Sequence, residues 1–298
     1  MKKMMLFYVS AMLVSALTVF STAEDAVKIK ALILDGQNNH NWKATTPVLK
    51  SIYEKSERFV VDVATAPPSG QDMSIFKPDF SKYDLVVLNY NGDKWSQETC
   101  DAFEKFVAEG GGVVSYHAAD NAFTDWKEYN LMTGLGGWGG RNEKSGPYVY
   151  VELGQGIRKI VYDNSPGDGG HHGPQVEFLV KTFSSEHPIM KGLPEAFLHV
   201  KDELYCKMRG PGENMSILGT ADSKKEERGS GREEPLLIAI TYKKGRIFHT
   251  MLGHDVPQCR CVGFQTTLLR GSEWAATAEV TIPCPEDYPT ATQTSIRE

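Results

Sequence analysis

Histidine, asparagine and acid recur in this sequence directly after short apolar runs. Asn38-Asn39-His40 follows Ile29 to Leu34, Asn89 to Asn91 follows Leu85 to Leu88, His117 follows Val113 to Tyr116, and His254-Asp255 follows Arg246 to Leu252. Asp202-Glu203 stands just before the run Leu204-Tyr205-Cys206. Imidazole titrates near neutral pH and ligates metals, and a neighbouring carboxylate fixes its tautomer and raises its pKa. Such a set can move protons, bind hydroxyls or hold a divalent metal. His117, Glu203 and His254 are the acid/base candidates. Asn39, His40, Asn91, Trp126, Asp202 and Asp255 are the candidate substrate-binding residues. No cofactor is established by these residues, and a divalent metal remains open. Each also has a plainer role available: a structural imidazole at His117, turn duty at His254, a cap at Asp202. His249 lies inside a strand and reads as core, and His187 and His199 read as connection residues. His171-His172, in a Gly-rich stretch, reads as mobile loop.

These residues need elements that bring them together. Ile29 to Leu34 reads as a buried first strand, followed by a helix from about Thr46 to Ser56 with Pro47 in its first turn. Phe59 to Val63 and Leu85 to Leu88 give two more strands. Ser96 caps a helix running to Glu109, which ends at Gly110-Gly111-Gly112 before the strand Val113 to Tyr116. That alternation predicts an α/β protein with a parallel sheet covered by helices on both faces. From Gly134 to Gly173 the texture becomes Gly-rich and polar, with a short strand near Tyr148 to Leu153. Met215 to Thr220, Leu236 to Tyr242 and Arg246 to Leu252 return to strand, the last two joined by a hairpin at Lys243-Lys244-Gly245. Phe264 to Trp274 is the closing helix, and residues 277–298 form an irregular tail. Ligands of open parallel sheets sit beyond the carboxyl ends of the strands. His117 and His254, 137 positions apart, are therefore expected to meet each other and Glu203. On this reading His117→Ala removes activity and leaves the melting temperature nearly unchanged.

Composition narrows the partners. The 298 residues are 41% hydrophobic and 23% charged, enough apolar residue for a sizeable core. Lys plus Arg is 32 against 38 for Asp plus Glu, a net charge of -6 without a dense basic run. Nucleic acid is not an expected partner, and a small neutral ligand is compatible with this charge. Lys2-Lys3, the apolar run Met4 to Phe20 and the small residues Ser21-Thr22-Ala23 have the layout of a secretory signal cut before Glu24. Export to the periplasm or medium follows, with no stable membrane span after cleavage. Loss of the two Lys takes the net charge from -6 to -8. The five Cys are an odd number with no CxxC pair, so a zinc ribbon is not supported. A bond from Cys259 or Cys261 to Cys284 would staple the tail.

Gly134-Leu135-Gly136-Gly137-Trp138-Gly139 fits GxGxxG but follows a helix, so it is not a dinucleotide loop. Neither HExxH nor GxSxG occurs. Three longer stretches carry a resemblance. They are Gly110 to Ala119 with Phe123, Trp126, Tyr129 and Thr133-Gly134; Glu186 to Pro194 with Asp202-Glu203-Leu204-Tyr205; and Lys244 to His254 with Trp274. Together they resemble the ThuA-like, trehalose-utilisation family, over about residues 29–275 and hence a domain at 24–276. The resemblance implies a flavodoxin-like, class I glutamine amidotransferase-like three-layer sandwich with a mostly parallel sheet, used in carbohydrate utilisation. Where amidotransferases carry a nucleophilic Cys in a strand-to-helix elbow, this chain has Ser115-Tyr116-His117, so it is not expected to be a functional amidotransferase. An exported enzyme acting on a sugar or keto-sugar derivative is one reading. A non-catalytic carbohydrate-binding module with Trp42, Trp95 and Trp126 as stacking faces is the other.

Overall fold

The computed structural model describes residues 27–297, and the signal segment expected at 1–23 lies outside them. The chain runs β1 (Ile29–Asp35), α1 (Trp42–Lys55), β2 (Phe59–Thr65), β3 (Leu85–Leu88), α2 (Gln97–Ala108), β4 (Gly112–Tyr116) and α3 (Lys127–Thr133). It continues β5 (Tyr148–Gly154), β6 (Ile157–Asp163), β7 (His171–His172), β8 (Val176–Thr182), β9 (Ala196–Asp202) and β10 (Tyr205–Cys206). The last elements are β11 (Met215–Ser223), β12 (Arg232–Tyr242), β13 (Gly245–Thr250), α4 (Val256–Cys259) and α5 (Val262–Thr277).

One large sheet has the order β2-β1-β3-β4-β13-β12-β11-β8-β9, with the β5–β6 hairpin attached to β12. The first five strands are parallel to their neighbours. From β13 onward every pairing is antiparallel. The sheet is therefore mixed rather than mostly parallel along its whole width. The difference comes from the connections: parallel neighbours need a crossover, whereas the two-residue turn at Lys243-Lys244 folds β13 straight back along β12. The central strands β3 and β4 are buried at every residue, as their continuous apolar sequences require. Tyr53 of α1 bonds to Ser272 of α5 at 2.7 Å, and Phe103 of α2 packs on Trp126, centroids 6.2 Å apart.

Helix α1 starts at Trp42, earlier than expected, and takes Pro47 into its interior. Pro47 lacks the N–H that would bond to the carbonyl of Lys43, so the helix forgoes one internal hydrogen bond there. Ser96 caps α2 through Thr99 N–H, as read from the sequence. The segment from 134 to 173 holds more strand than expected, because β6 pairs with β5 along seven residues. The tail is irregular but anchored. Leu198 N–H donates to Thr290, Val262 N–H to Ser295 and Arg297 N–H to Arg260. All five cysteines are free, so hydrogen bonds and not a disulfide hold the tail.

Candidate functional site

Three parallel-strand ends meet at one rim. His40 lies in the loop beyond β1, His117 directly follows β4, and His254 lies just beyond β13. Glu203 arrives from the other half of the sheet, one residue past β9. His117 takes a φ of 44°, a left-handed backbone rarely adopted by non-glycine residues. The strand thus turns sharply and presents the imidazole at the head of the sheet.

Glu203 stands among four imidazoles. Its Oε1 lies 3.2 Å from His254 Nε2 and 3.8 Å from His172 Nε2; its Oε2 lies 3.7 Å from His40 Nε2 and 3.8 Å from His117 Nε2. The expected meeting of His117, Glu203 and His254 is present, with ring centroids of the two histidines 5.6 Å apart. Burial raises the Glu203 pKa, but hydrogen bonds to His254 and His40 outweigh it and hold the carboxyl well below its ordinary range. The bond to Glu203 raises the His254 pKa against a smaller opposing effect of burial. His117 is the opposite case: burial drives its pKa down to about 3, so it is neutral at physiological pH.

The tautomers follow from the other ring nitrogens. His117 Nδ1–H donates to the Met251 carbonyl at 2.7 Å and His172 Nδ1–H to Gly173 at 2.8 Å, while His40 Nδ1 lies 3.2 Å from Asn38 Oδ1. In these tautomers Nε2 of His117 and of His172 is the acceptor nitrogen. Tyr205 O–H donates to His117 Nε2 at 3.0 Å. Among the described residues, His40, His117 and Glu203 form a metal-capable group, their ligand atoms all within 4.8 Å of one another.

Asp202 is fully buried and does more than cap. One oxygen accepts His199 Nε2–H at 2.8 Å and Gly253 N–H at 2.8 Å; the other accepts Glu203 N–H at 2.7 Å and His254 N–H at 3.3 Å. A single carboxylate thus fixes the backbone under both Glu203 and His254. Behind it, His199 Nδ1 meets Cys261 Sγ at 3.2 Å. Burial opposes charge on His199, but the Cys261 sulfur and the Asp202 bond together push its pKa up to about 9. His199, read as a connection residue, is a buried link in a Cys261–His199–Asp202 chain.

The cleft over Glu203 has a volume of about 560 Å³ and is lined in part by Asn39, His40, Asn91, Glu203 and His254. Asn91 donates to Asn39 Oδ1, and its own oxygen accepts Asn39 N–H at 3.2 Å. Five expected contact residues, Asp202, Asp255, Trp126, Trp95 and Trp42, are not among the lining residues. Asp255 caps α4 through Val256 N–H at 2.7 Å and is not among the lining residues. Trp126 is buried beside Trp95 and Phe123, and its indole N–H bonds to Glu104, so it packs the core. Trp42 does not line the cleft either. Sequence reading missed Asn121, Trp138, His172 and Tyr205, all of which line it. For Tyr205 a signal existed: it lies two positions after Glu203. Trp138 and His172 come from the Gly-rich segment, where β7 pairs with β10 and places His172 opposite Tyr205. Backbone bonds between Gly136 and Arg209 fasten the rest of that segment, which makes no phosphate loop.

The fold and site define an α/β protein of flavodoxin-like type, with a histidine-rich carboxylate cleft at the strand ends. The chain belongs to the ThuA family, described as trehalose utilisation, which matches residues 30–275. A crystal structure described as a ThuA-like protein, from Parabacteroides merdae, is 54% identical with a TM-score of 0.88, covering 91% of this chain and 98% of that one. A second, from Bacteroides uniformis, is 19% identical with a TM-score of 0.56, covering 86% and 94%. The carbohydrate deacetylase Agd3 shares the fold at 9% identity and a TM-score of 0.50, over 84% of this chain and 32% of that one. No curated protein sequence matches this chain.

Proposed function

We propose that this protein is an enzyme of carbohydrate utilisation that acts on a sugar or keto-sugar derivative by acid/base chemistry at Glu203. The observation that carries the reading is the ring of four imidazoles around one carboxylate in an open cleft. Glu203 is ionised and accepts a proton from a ring carbon beside a carbonyl; His254, its pKa raised, gives a proton to the carbonyl oxygen. A carboxylate held so low is a weak base until a ligand draws His254 away from it, which ties proton abstraction to substrate binding. His117 stays neutral and orients Tyr205 through Nε2. The reading includes a flavodoxin-like three-layer arrangement. It is supported by the neighbouring Gly111 and Gly112, where added Cβ atoms would meet Phe106 of α2 and Ala275 of α5 respectively.

A divalent metal is a second reading of the same cleft, favoured by the approach of His40, His117 and Glu203, whose ligand atoms lie within 4.8 Å of one another. His40, His117 and Glu203 would hold a first-row cation, which would polarise a sugar oxygen. Added Zn²⁺ or Mn²⁺ should raise the melting temperature of the wild type and not that of Glu203→Gln. Export through residues 1–23 also stands as a proposal, and mass spectrometry of exported protein should find Glu24 first. No helix among the described residues is long and apolar enough to cross a membrane.

The test is turnover with a panel of ordinary and oxidised disaccharides. Conversion that is lost in Glu203→Gln and His254→Asn supports the enzyme. Binding without conversion would instead make the same cleft a carbohydrate-binding module.

A further inference from the structure

The cleft carries features that proton transfer does not require. Trp138 lines it at a backbone φ of 51°, a conformation costly for a bulky residue. The cost is sustained by close packing. Trp138 N–H donates to Gly169 at 2.8 Å, and Arg141 N–H donates to the Trp138 carbonyl at 2.9 Å. Gly170 lies so close that an added Cβ would stand 2.7 Å from the indole ring. The ring meets Tyr205 edge-on at 4.7 Å between centroids and His172 at 5.9 Å. A half-buried indole locked this firmly at a cleft wall offers a rigid apolar face with little ordering entropy left to lose on binding.

The polar part of the lining is equally selective. Asn39, Asn91 and Asn121 supply amide donors and acceptors, and no lining residue is Lys or Arg. Arg141, the cation nearest in sequence to Trp138, spends its guanidinium on the carbonyls of Asn121, Ala122 and Gly137 and on the side chains of Thr124 and Asn130. A ligand carboxylate or phosphate would therefore meet the Glu203 carboxyl group with no Lys or Arg in the lining to receive it, and with the His254 imidazole already engaged by Glu203 at 3.2 Å. A pyranose fits both halves of the wall: one apolar C–H face for the indole and hydroxyls for the amides.

We infer that Trp138 is the stacking platform of a subsite for an uncharged pyranose, selecting sugars without a phosphate or carboxylate group. This rests on the sugar reading above, and names the class of sugar. The test is calorimetric titration of the full chain with trehalose, trehalose oxidised to the ketone at one ring carbon, trehalose 6-phosphate and glucuronate. One or both uncharged sugars should bind at least tenfold more tightly than the charged pair. Trp138→Ala should weaken that binding at least tenfold while Trp138→Tyr retains most of it. Gly170→Ala, whose Cβ would meet the Trp138 backbone N at 2.5 Å and the ring at 2.7 Å and so shift the whole residue, should weaken binding as well. Equal binding by wild type and Trp138→Ala would overturn the platform and leave the sugar reading standing. Tighter binding of the phosphate or glucuronate would overturn the charge selection. Failure of every sugar to bind the wild type would sink the sugar reading itself.

Discussion

Replacing Asp202 by Asn tests whether one buried carboxylate organises the cleft. The side chains have nearly the same shape, so packing is preserved and only the charge and one acceptor are lost. In the native protein the two oxygens receive four donors: His199 Nε2–H, Gly253 N–H, Glu203 N–H and His254 N–H. An amide must turn its NH2 toward one of these two pairs, whichever way it is oriented. Each buried donor left unpaired costs about 1–3 kcal/mol. Removing one partner of a buried ion pair, here the carboxylate facing His199, costs about 3–5 kcal/mol. His199 can relieve part of the conflict by giving up its proton, so the two figures overlap and do not add. The expected loss is about 3–5 kcal/mol, or roughly 10 °C in melting temperature for a chain of this size. Urea unfolding followed by tryptophan fluorescence measures it, and the amide resonances of Glu203 and Gly253 report the loosened backbone. A loss under about 1 kcal/mol with both resonances unmoved would show that Asp202 is not the organising group.

Three further outcomes follow from the same geometry. His117→Ala should abolish turnover but, contrary to the sequence-based expectation, also cost about 1–3 kcal/mol, because it strands the buried Met251 carbonyl and Tyr205 hydroxyl; an unchanged unfolding midpoint would contradict this. Trp126→Ala should destabilise by about 3–5 kcal/mol while leaving sugar affinity in the folded fraction unchanged, as for any aromatic removed from a core; titration at low temperature separates the two effects. Burial pushes the Glu234 pKa from 4.5 up to about 7, so the folded protein keeps that proton while the unfolded chain ionises. Stability attributable to Glu234 therefore falls as pH rises from 4.5 to 7 and levels off above, and Glu234→Gln should gain about 3 kcal/mol on the wild type between pH 4.5 and 8. Parallel pH–stability curves would refute it.

The parallel half of the sheet was legible because its strands are short, apolar and separated by helices with clear starts and stops. The meeting of His117 with His254 followed from that alone, since parallel strands open at the same end. The antiparallel half was harder to read. β8 and β9 alternate between buried and part-exposed residues, and β5–β6 lies in a stretch whose glycines mimic loop. His199 and His172 were misjudged for the same reason: their roles depend on pairings across these strands, which local sequence does not encode. Trp126 was misplaced because an aromatic next to a helix start looks alike whether it faces a ligand or a core. Trp138 could not be located until the Gly-rich segment was seen folded against β10.

The anchored tail has a practical consequence for anyone preparing this protein. Arg297 N–H bonds to the Arg260 carbonyl, one residue before Cys261, so residue 297 lies against the α4–α5 junction. A purification tag fused there would begin almost on top of the thiol that backs His199. Any tug from the fusion would be felt at the cleft through the Cys261–His199–Asp202 chain. Affinity handles are better removed by protease before ligand measurements, and a tagged preparation with weak binding should be distrusted before the site is.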